Sequence, residues 1–298
     1  MNCQRYLFSE SFQTVSGFLG MVSNAARRFF SANGAHTSDP LLVCPSNRYL
    51  ASLIADVAEM EFRDTMAFFT ELGNDVDLKR HIARRSINFA PEWEVRFGRC
   101  IGWYAFVRTL KPETTVEIQS GDGLGACLVT AALRRNAAEG FLGRYHGIDP
   151  IPGSGHLLSG AYADFGDFLY GSTLTSISNI NAPIDLLIIN SDYSSYKETA
   201  LYEMVVDRFS DQAVVLSTHS SYSDALFDFS LRDSRRFILY HEKVEGGWYH
   251  SVGMGISYKK RDGYPPMSRN WKSVDMQRNT FERKTESKYS PKGDDLKT

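Results

Sequence analysis

The segment from residue 116 to residue 126 constrains the fold of this chain more than any other. It reads VEIQSGDGLGA, an apolar strand followed by glycines at 121, 123 and 125 and by a helix that begins near Leu124. Glycine lets the backbone turn tightly and lets a ligand approach without a Cβ in the way. A tight turn without a ligand is the alternative, but the flanking strand and helix favour a turn that binds a cofactor.

Short apolar segments follow Lys111 and Pro112 at residues 115–119, 145–148, 184–189 and 213–217, separated by helix-length stretches. This alternation is typical of βαβ units and a parallel sheet. Residues 237–241 and 253–258 predict two further strands, an antiparallel pair at one edge. We therefore expect an α/β fold with a Rossmann-like, mostly parallel seven-stranded sheet and helices on both faces.

The first third of the chain predicts helices. Apolar residues recur at three- and four-residue steps over about residues 12–30, 47–72 and 91–110. The predicted organisation is an N-terminal helical cap (1–90), a catalytic domain (91–258) and a basic tail (259–298). The tail holds 11 Lys and Arg against 6 Asp and Glu and few apolar residues, which predicts disorder; contact with an acidic partner is the alternative.

Composition excludes several classes of protein. A net charge of -2 gives no overall attraction to nucleic acid, so binding to nucleic acid would need a local basic patch. The clearest apolar run in the second half, residues 186–189, is far shorter than the roughly 20 residues that span a membrane. The 4 cysteines form no C-x-x-C pair, so we expect buried reduced thiols and a cytoplasmic protein. The aromatic stripe near Phe29 leaves a membrane surface or a second copy of the chain open as a partner.

Two cofactors fit the glycine turn. Gly121, Gly123 and Ala126 satisfy the dinucleotide fingerprint, and Asp149, at the end of the next strand, stands where that fold holds a ribose. Glu117 separates the two cofactors, since a carboxylate inside the first strand suits a cationic amino group and does nothing evident for a pyrophosphate. S-adenosylmethionine (SAM) carries such an ammonium group and NAD does not.

VEIQSGDGLGA followed by YHGIDP at residues 145–150 resembles the first two strand-loop motifs of class I SAM-dependent methyltransferases. The resemblance covers about residues 96–259. It implies that Glu117, Gly121 and Gly123 line the methionine part of SAM and that Asp149 holds the ribose hydroxyls. The family usually has glycine at the position of Gln119.

A weaker match concerns the loop after the third strand. Gly171 and Ser172, in the segment YGSTL, resemble the adenine-side loop of the same family. The resemblance implies that both residues contact the cofactor.

The segment IDLLIINSDYSSY, residues 184–196, resembles the fourth strand of small-molecule O-methyltransferases. Asn190 stands where those enzymes have an acid, Tyr193 where they have a histidine, and Asp192 is retained. In the fifth strand Ser220 stands where relatives often have an acid. Because Mg²⁺ prefers several carboxylate ligands, we expect no catalytic metal.

His219 follows the fifth strand and is the first candidate for a catalytic base, because imidazole titrates near neutral pH. Asp192 is the second candidate. Asn190 and Tyr193 are expected to bind the substrate by hydrogen bonds. For each of these residues the alternative is a polar side chain that satisfies a backbone group at a strand end.

The sequence therefore predicts an enzyme that transfers a methyl group from SAM to a small polar acceptor, a sugar or a specialised metabolite. A SAM-binding regulatory protein without catalysis and a nicotinamide-dependent oxidoreductase are the alternatives. A homo-oligomer is left open.

Overall fold

The computed structural model describes residues 45–86, 91–92, 95–98, 100–191, 193–240 and 254–260. The expected helix over 12–30 and most of the expected tail lie outside the described residues. The boundaries at residues 90 and 258 stay predictions.

The described helices are α1 (Pro45–Ala58), α2 (Phe62–Gly73), α3 (Val76–Arg85), α4 (Cys100–Leu110), α5 (Leu124–Ala138), α6 (Thr173–Ser178), α7 (Ser195–Val205) and α8 (Ala225–Arg232). The expected single helix over 47–72 is wrong, because the chain breaks between α1 and α2. Glu59 adopts a left-handed φ of 54°, which a helix cannot contain. Helix α4 also begins later than expected, after Gly98 at φ 52°.

The strands are β1 (Thr114–Ile118), β2 (Arg144–Asp149), β3 (Gly166–Tyr170), β4 (Ile184–Ile189), β5 (Phe209–Ser217), β6 (Arg236–Tyr240) and β7 (Met254–Tyr258). They form one seven-stranded sheet in the order β3-β2-β1-β4-β5-β7-β6. Strands β1 to β5 pair in parallel, and β7 runs antiparallel between β5 and β6. The predicted mostly parallel sheet and its antiparallel edge pair are confirmed.

Two apolar cores cover the two faces of the sheet, because alternate strand residues point to opposite sides. We call the first face the side that packs on α1–α5, and the second face the side that packs on α6–α8. On β4, Leu186 and Ile188 join the first core, and Leu187 and Ile189 join the second. Both faces are therefore buried, as a parallel sheet requires.

A buried arginine ties together the helices of the first face. Arg108 on α4 donates from Nε to Glu71 Oε1 of α2 at 2.8 Å and from a terminal nitrogen to Glu139 Oε1, just after α5, at 2.5 Å. Its other terminal nitrogen donates to Asn136 on α5. Helices α2, α4 and α5 are thus linked to one another by charge as well as by apolar packing.

Two further expectations can be compared with the described residues. Cys100 and Cys127 are buried, as expected, and burial raises the pKa of Cys127 to about 12. In the part of the chain that the structure describes, each helix is too short or too polar to cross a bilayer. The cytoplasmic location stays a prediction.

Candidate functional site

The strand order of the sheet reverses between β1 and β4. Strands β2 and β3 extend to one side of β1, whereas β5 lies on the far side of β4. Ligands of open α/β sheets bind where the strand order reverses in this way, outside the carboxyl ends of the strands. The predicted glycine turn follows β1 directly, so it lies at this point of the fold.

The turn itself has the backbone that the glycines predict. Gly121 and Gly123 adopt φ values of 58° and 93°, and α5 begins directly afterwards at Leu124. Gln119, where the resembling family usually has glycine, also adopts a left-handed φ of 60°. A Cβ added at Gly121 would meet nothing within 4 Å, which leaves this side of the turn open to a ligand.

A loop that we call the strap, residues 151–158, lies against the same turn. The backbone N–H of Gly155 donates to the Gly121 carbonyl at 2.8 Å, and that of Leu157 donates to the Asp122 carbonyl at 3.1 Å. The Cα of Gly155 lies 2.8 Å from the position that a Cβ would take at Gly123. The missing side chain at Gly123 therefore makes room for the strap, whose PGSG sequence was the one signal that could have indicated a close backbone approach.

Glu117 is fully buried on the first face, under the glycine turn. Tyr145 Oη donates to Glu117 Oε2 at 2.7 Å and lies 3.0 Å from Ser120 Oγ, in the turn itself. We call Glu117, Tyr145 and Ser120 the first cluster. Burial, and then the Glu117 carboxylate, raise the pKa of Tyr145 well above its ordinary value, so its hydroxyl stays a donor. The role of Glu117 in holding an ammonium group stays a prediction.

Asp149 faces the same side of the sheet as Glu117, because Glu117 pairs with Gly147, two residues earlier on β2. Its Oδ2 accepts from the Gly121 N–H at 3.2 Å, and its Oδ1 accepts from the Ile151 N–H at 2.9 Å. A carboxylate has about four acceptor positions, so two such bonds leave capacity for ligand hydroxyls. Asp149 thus joins the glycine turn to the strap.

The predicted adenine-side residues lie beside Asp149. The N–H of Gly171 donates to the Asp149 carbonyl at 3.2 Å, with Gly171 at φ 135°. Ser172 is exposed and precedes α6, whose Ser176 N–H bonds its carbonyl at 2.9 Å. The contact of both residues with a cofactor stays a prediction.

Asn190 lies between the ends of β1, β4 and β5. Its Nδ2 donates to the Gln119 carbonyl at 3.3 Å, and Thr218 Oγ1 donates to its Oδ1 over a long 3.5 Å. Tyr193 Oη lies 2.9 Å from Thr173 Oγ1 at the start of α6. The structure therefore brings Asn190 next to the glycine turn and Tyr193 next to the adenine-side loop.

His219 is half-buried in the turn that follows β5. Its backbone N–H donates to Ser217 Oγ at 3.3 Å, and its ring centroid lies 5.4 Å from that of Tyr222. Ser217 Oγ in turn donates to Glu198 Oε1 at 2.7 Å, and Tyr202 Oη donates to the same oxygen at 2.6 Å. We call Glu198, Tyr202 and Ser217 the second cluster; all three are fully buried.

Sequence reasoning missed Tyr145, Glu198 and Ser217, three residues that support the site from below. The four-residue spacing of Glu198 and Tyr202 on a helix was a signal for their contact. Nothing local indicated the contact between Tyr145 and Glu117, which depends on strand register.

Asp192 lies outside the described residues, so its two predicted roles stay predictions. Within the described ranges, no three His, Cys, Asp or Glu side chains are grouped so that they could hold a metal ion. The expectation that catalysis needs no metal also stays a prediction.

Comparisons with known proteins give likeness at the level of structure alone. No protein-family model and no curated protein matches the chain. The O-methyltransferase TomG from Streptomyces achromogenes, in complex with SAM, is 14% identical with a TM-score of 0.46 over 62% of this chain and 90% of its own. An O-methyltransferase from Bacillus cereus in complex with SAH is 13% identical, with a TM-score of 0.47 over 71% and 97%. A methyltransferase from Geobacter sulfurreducens is 18% identical, with a TM-score of 0.43 over 62% and 88%. Likeness this distant assigns no activity.

Proposed function

We propose that this chain is a cytoplasmic enzyme that transfers a methyl group from SAM to a small polar acceptor, a sugar or a specialised metabolite. The reaction would take place at the carboxyl ends of β1 and β4. One observation carries the proposal. The glycine turn lies at the point where the strand order reverses, is open at Gly121, and has two buried acids, Glu117 and Asp149, on one face of the sheet.

The residues of the turn fit the parts of this cofactor. Gly121 offers open space, and Asp149 keeps acceptor capacity for the ribose hydroxyls. Gly123 contributes the bend, and the Glu117 carboxylate below it favours a cation above the turn. Gly171 and Ser172 would contact the adenine. SAM supplies a methyl group on a sulfonium, which an acceptor atom can attack in line.

The acceptor side would be formed by the ends of β4 and β5. Holding the acceptor in line with the methyl group can supply most of the acceleration. Asn190 and Tyr193 would orient the acceptor by hydrogen bonds, and His219 would accept its proton. Asp192 is the second candidate for that proton.

Two observations favour SAM over a nicotinamide cofactor. The six-stranded dinucleotide fold has the order 3-2-1-4-5-6, whereas an antiparallel β7 stands here between β5 and β6. In the dinucleotide fingerprint the second glycine lets the pyrophosphate approach the backbone. Here Gly155 of the strap lies against that glycine, Gly123, so a pyrophosphate would not reach the backbone there. The same contact moves the proposed methionine contact of SAM from Gly123 to the open side at Gly121.

A regulatory protein that binds SAM without catalysis is the second candidate function. The observation that favours it is the loss of carboxylates at Asn190 and Ser220. It predicts SAM binding without methyl transfer to any acceptor.

The test compares two acids that have the same backbone contacts at opposite ends of the sheet. Asp149 accepts two backbone N–H groups at the carboxyl end, and Asp185 accepts those of Glu113 and Thr114, both at 2.9 Å, at the amino end. We expect Asp149→Asn to weaken SAH binding about tenfold by calorimetry, because it removes a charged acceptor. We expect Asp185→Asn to leave this affinity within about twofold.

Equal affinity losses in the two variants would contradict the assigned site. Absence of SAH binding to the unmodified protein, with binding of NADH instead, would overturn the choice of cofactor. Transfer of tritiated methyl groups to a panel of sugars and hydroxylated metabolites then separates the enzyme from the regulatory protein.

A further inference from the structure

We infer that Glu198 is a positioning residue that acts through Ser217 to hold the turn carrying His219. Glu198 lies on α7, on the second face, and meets the turn through Ser217 rather than through the His219 ring. Its effect would pass through one hydroxyl group to the backbone of the turn. The inference rests on the proposed function only in giving His219 the role of base.

The single hydroxyl hydrogen of Ser217 fixes which of its neighbours accepts a hydrogen bond and which donates one. Ser217 and Tyr202 both donate to Glu198 Oε1. A serine hydroxyl has a single hydrogen atom, so Ser217 presents only lone pairs to its other neighbours. The N–H of His219 meets one of those lone pairs at 3.3 Å.

Other contacts hold the turn to the sheet or close it on itself. Thr218 Oγ1 donates to Asn190 Oδ1 at 3.5 Å, and Ser220 Oγ donates to the Ser217 carbonyl at 3.4 Å. The Thr218 N–H donates to the Ile189 carbonyl at 3.0 Å, which extends the pairing of β5 with β4 by one residue. The Tyr222 N–H donates to the His219 carbonyl at 2.8 Å, which closes the turn on itself. Ser217 connects the turn to α7 through its bond to Glu198.

Burial protects the hydrogen bonds between Ser217, Glu198 and Tyr202. Glu198, Tyr202 and Ser217 are each 0% exposed, so water does not compete for their hydrogen bonds. Ser217 and Tyr202 both donate to Glu198 Oε1, and Glu198 Oε2 has no hydrogen-bond partner among the described residues. Loss of the Ser217 hydroxyl would therefore remove both the acceptor of the His219 N–H and a donor to Glu198.

A simpler role for the cluster is to pack α7 on β5. Tyr202→Phe separates the two roles, because it removes one hydrogen bond of the cluster and leaves the contact from Ser217 to Glu198. Ser120→Ala is the matched control on the first cluster, where it removes the same type of hydroxyl.

The experiment records the backbone amide and imidazole nitrogen signals of His219 by NMR in protein labelled with ¹⁵N-histidine. His219→Gln identifies these signals among those of the 7 histidines. We expect Ser217→Ala to move the His219 amide proton upfield as its hydrogen bond is lost, and Glu198→Gln to move it in the same direction by less. Ser217→Thr, which keeps the hydroxyl, should restore the signal, whereas Tyr202→Phe and Ser120→Ala should leave it in place.

Unchanged His219 signals in both Ser217→Ala and Glu198→Gln would overturn the inference, and so would an equal shift in Tyr202→Phe. A second measurement addresses catalysis: Ser217→Ala should lower kcat about tenfold or more while the KM for SAM stays within about twofold. If no protein in the series transfers a methyl group, the proposed function fails, whereas the NMR result still decides whether Glu198 positions the turn.

Discussion

The two faces of the sheet contain the same three residue types under two different turns. On the first face Glu117 and Tyr145 lie beneath Ser120 of the glycine turn, and on the second face Glu198 and Tyr202 lie beneath Ser217. In each cluster a fully buried tyrosine donates to a fully buried glutamate. The turns above them differ, since one is a glycine bend that leads into a helix and the other carries His219.

The clusters also differ in how the chain assembles them. Glu117 and Tyr145 come from neighbouring strands and are 28 residues apart. Glu198 and Tyr202 are 4 residues apart on one helix. The contact between Glu117 and Tyr145 depends on how two strands pair, whereas that between Glu198 and Tyr202 depends on spacing within one helix. We therefore expect substitutions in the packing around the sheet to disturb the first contact more than the second.

The largest expected effect concerns the charge that anchors the first face. Arg108→Met leaves Glu71 and Glu139 without their buried partner and should lower the free energy of unfolding by about 3 kcal/mol, measured by urea unfolding. Arg232→Met is the control on the second face. It removes an exposed ion pair with Glu203 and should cost less than about 1 kcal/mol. Equal losses of unfolding free energy in the two variants would contradict a larger contribution of the buried Arg108 charge.

The next prediction compares alanine substitution of one glycine beneath each turn, Gly125 and Gly255. A Cβ at Gly125 would overlap the Trp103 ring, whereas one at Gly255 would overlap Ser220 Oγ. A fully buried ring has no room to move. Ser220 can turn its hydroxyl away, but its Cβ would lie 2.6 Å from the added atom, so the turn itself must also shift. We expect Gly125→Ala to cost about 2 to 3 kcal/mol and to weaken SAH binding, and Gly255→Ala to cost about 1 to 2 kcal/mol. Thermal unfolding and calorimetry measure both, and the reverse order would contradict this account.

A smaller effect separates the functions of the clusters. Tyr145→Phe and Tyr202→Phe each remove a buried hydroxyl but keep the ring, at a cost of about 1 to 2 kcal/mol. Only Tyr145→Phe should weaken SAH binding, about tenfold, because only Tyr145 contacts the glycine turn through Ser120. The same loss of affinity in both variants would mean that the first cluster has no special link to the cofactor.

The smallest effect is seen in alkali. The pKa of each of the two tyrosines is raised in the folded state, by burial first and then by its glutamate. The folded protein therefore keeps a proton that the unfolded chain loses above the ordinary pKa of 10, and stability falls as pH rises from there. Between neutral pH and pH 11 the free energy of unfolding of the unmodified protein should fall. In each Tyr→Phe variant this fall should be smaller by about 1 kcal/mol. Urea unfolding at both pH values measures this difference, and identical losses in all three proteins would contradict it.

The sequence predicted the parts of the site that depend on local backbone. The glycine turn, the strand before it and the helix after it follow from residues 116–126, because positive φ values and apolar alternation are local properties. The end of β2 at Asp149 and the edge pair β6 and β7 were also visible as short patterns. The break after Glu59 was not, since a left-handed residue there had no glycine to indicate it.

Contacts between distant segments had no such signal. The sequence by itself determined the order of strands along the chain and the bend at Gly121, because both arise from neighbouring residues. Only the tertiary structure decided that Tyr145 meets Glu117 and that Gly155 covers Gly123, because strand register and the path of the strap are set by packing across the whole sheet.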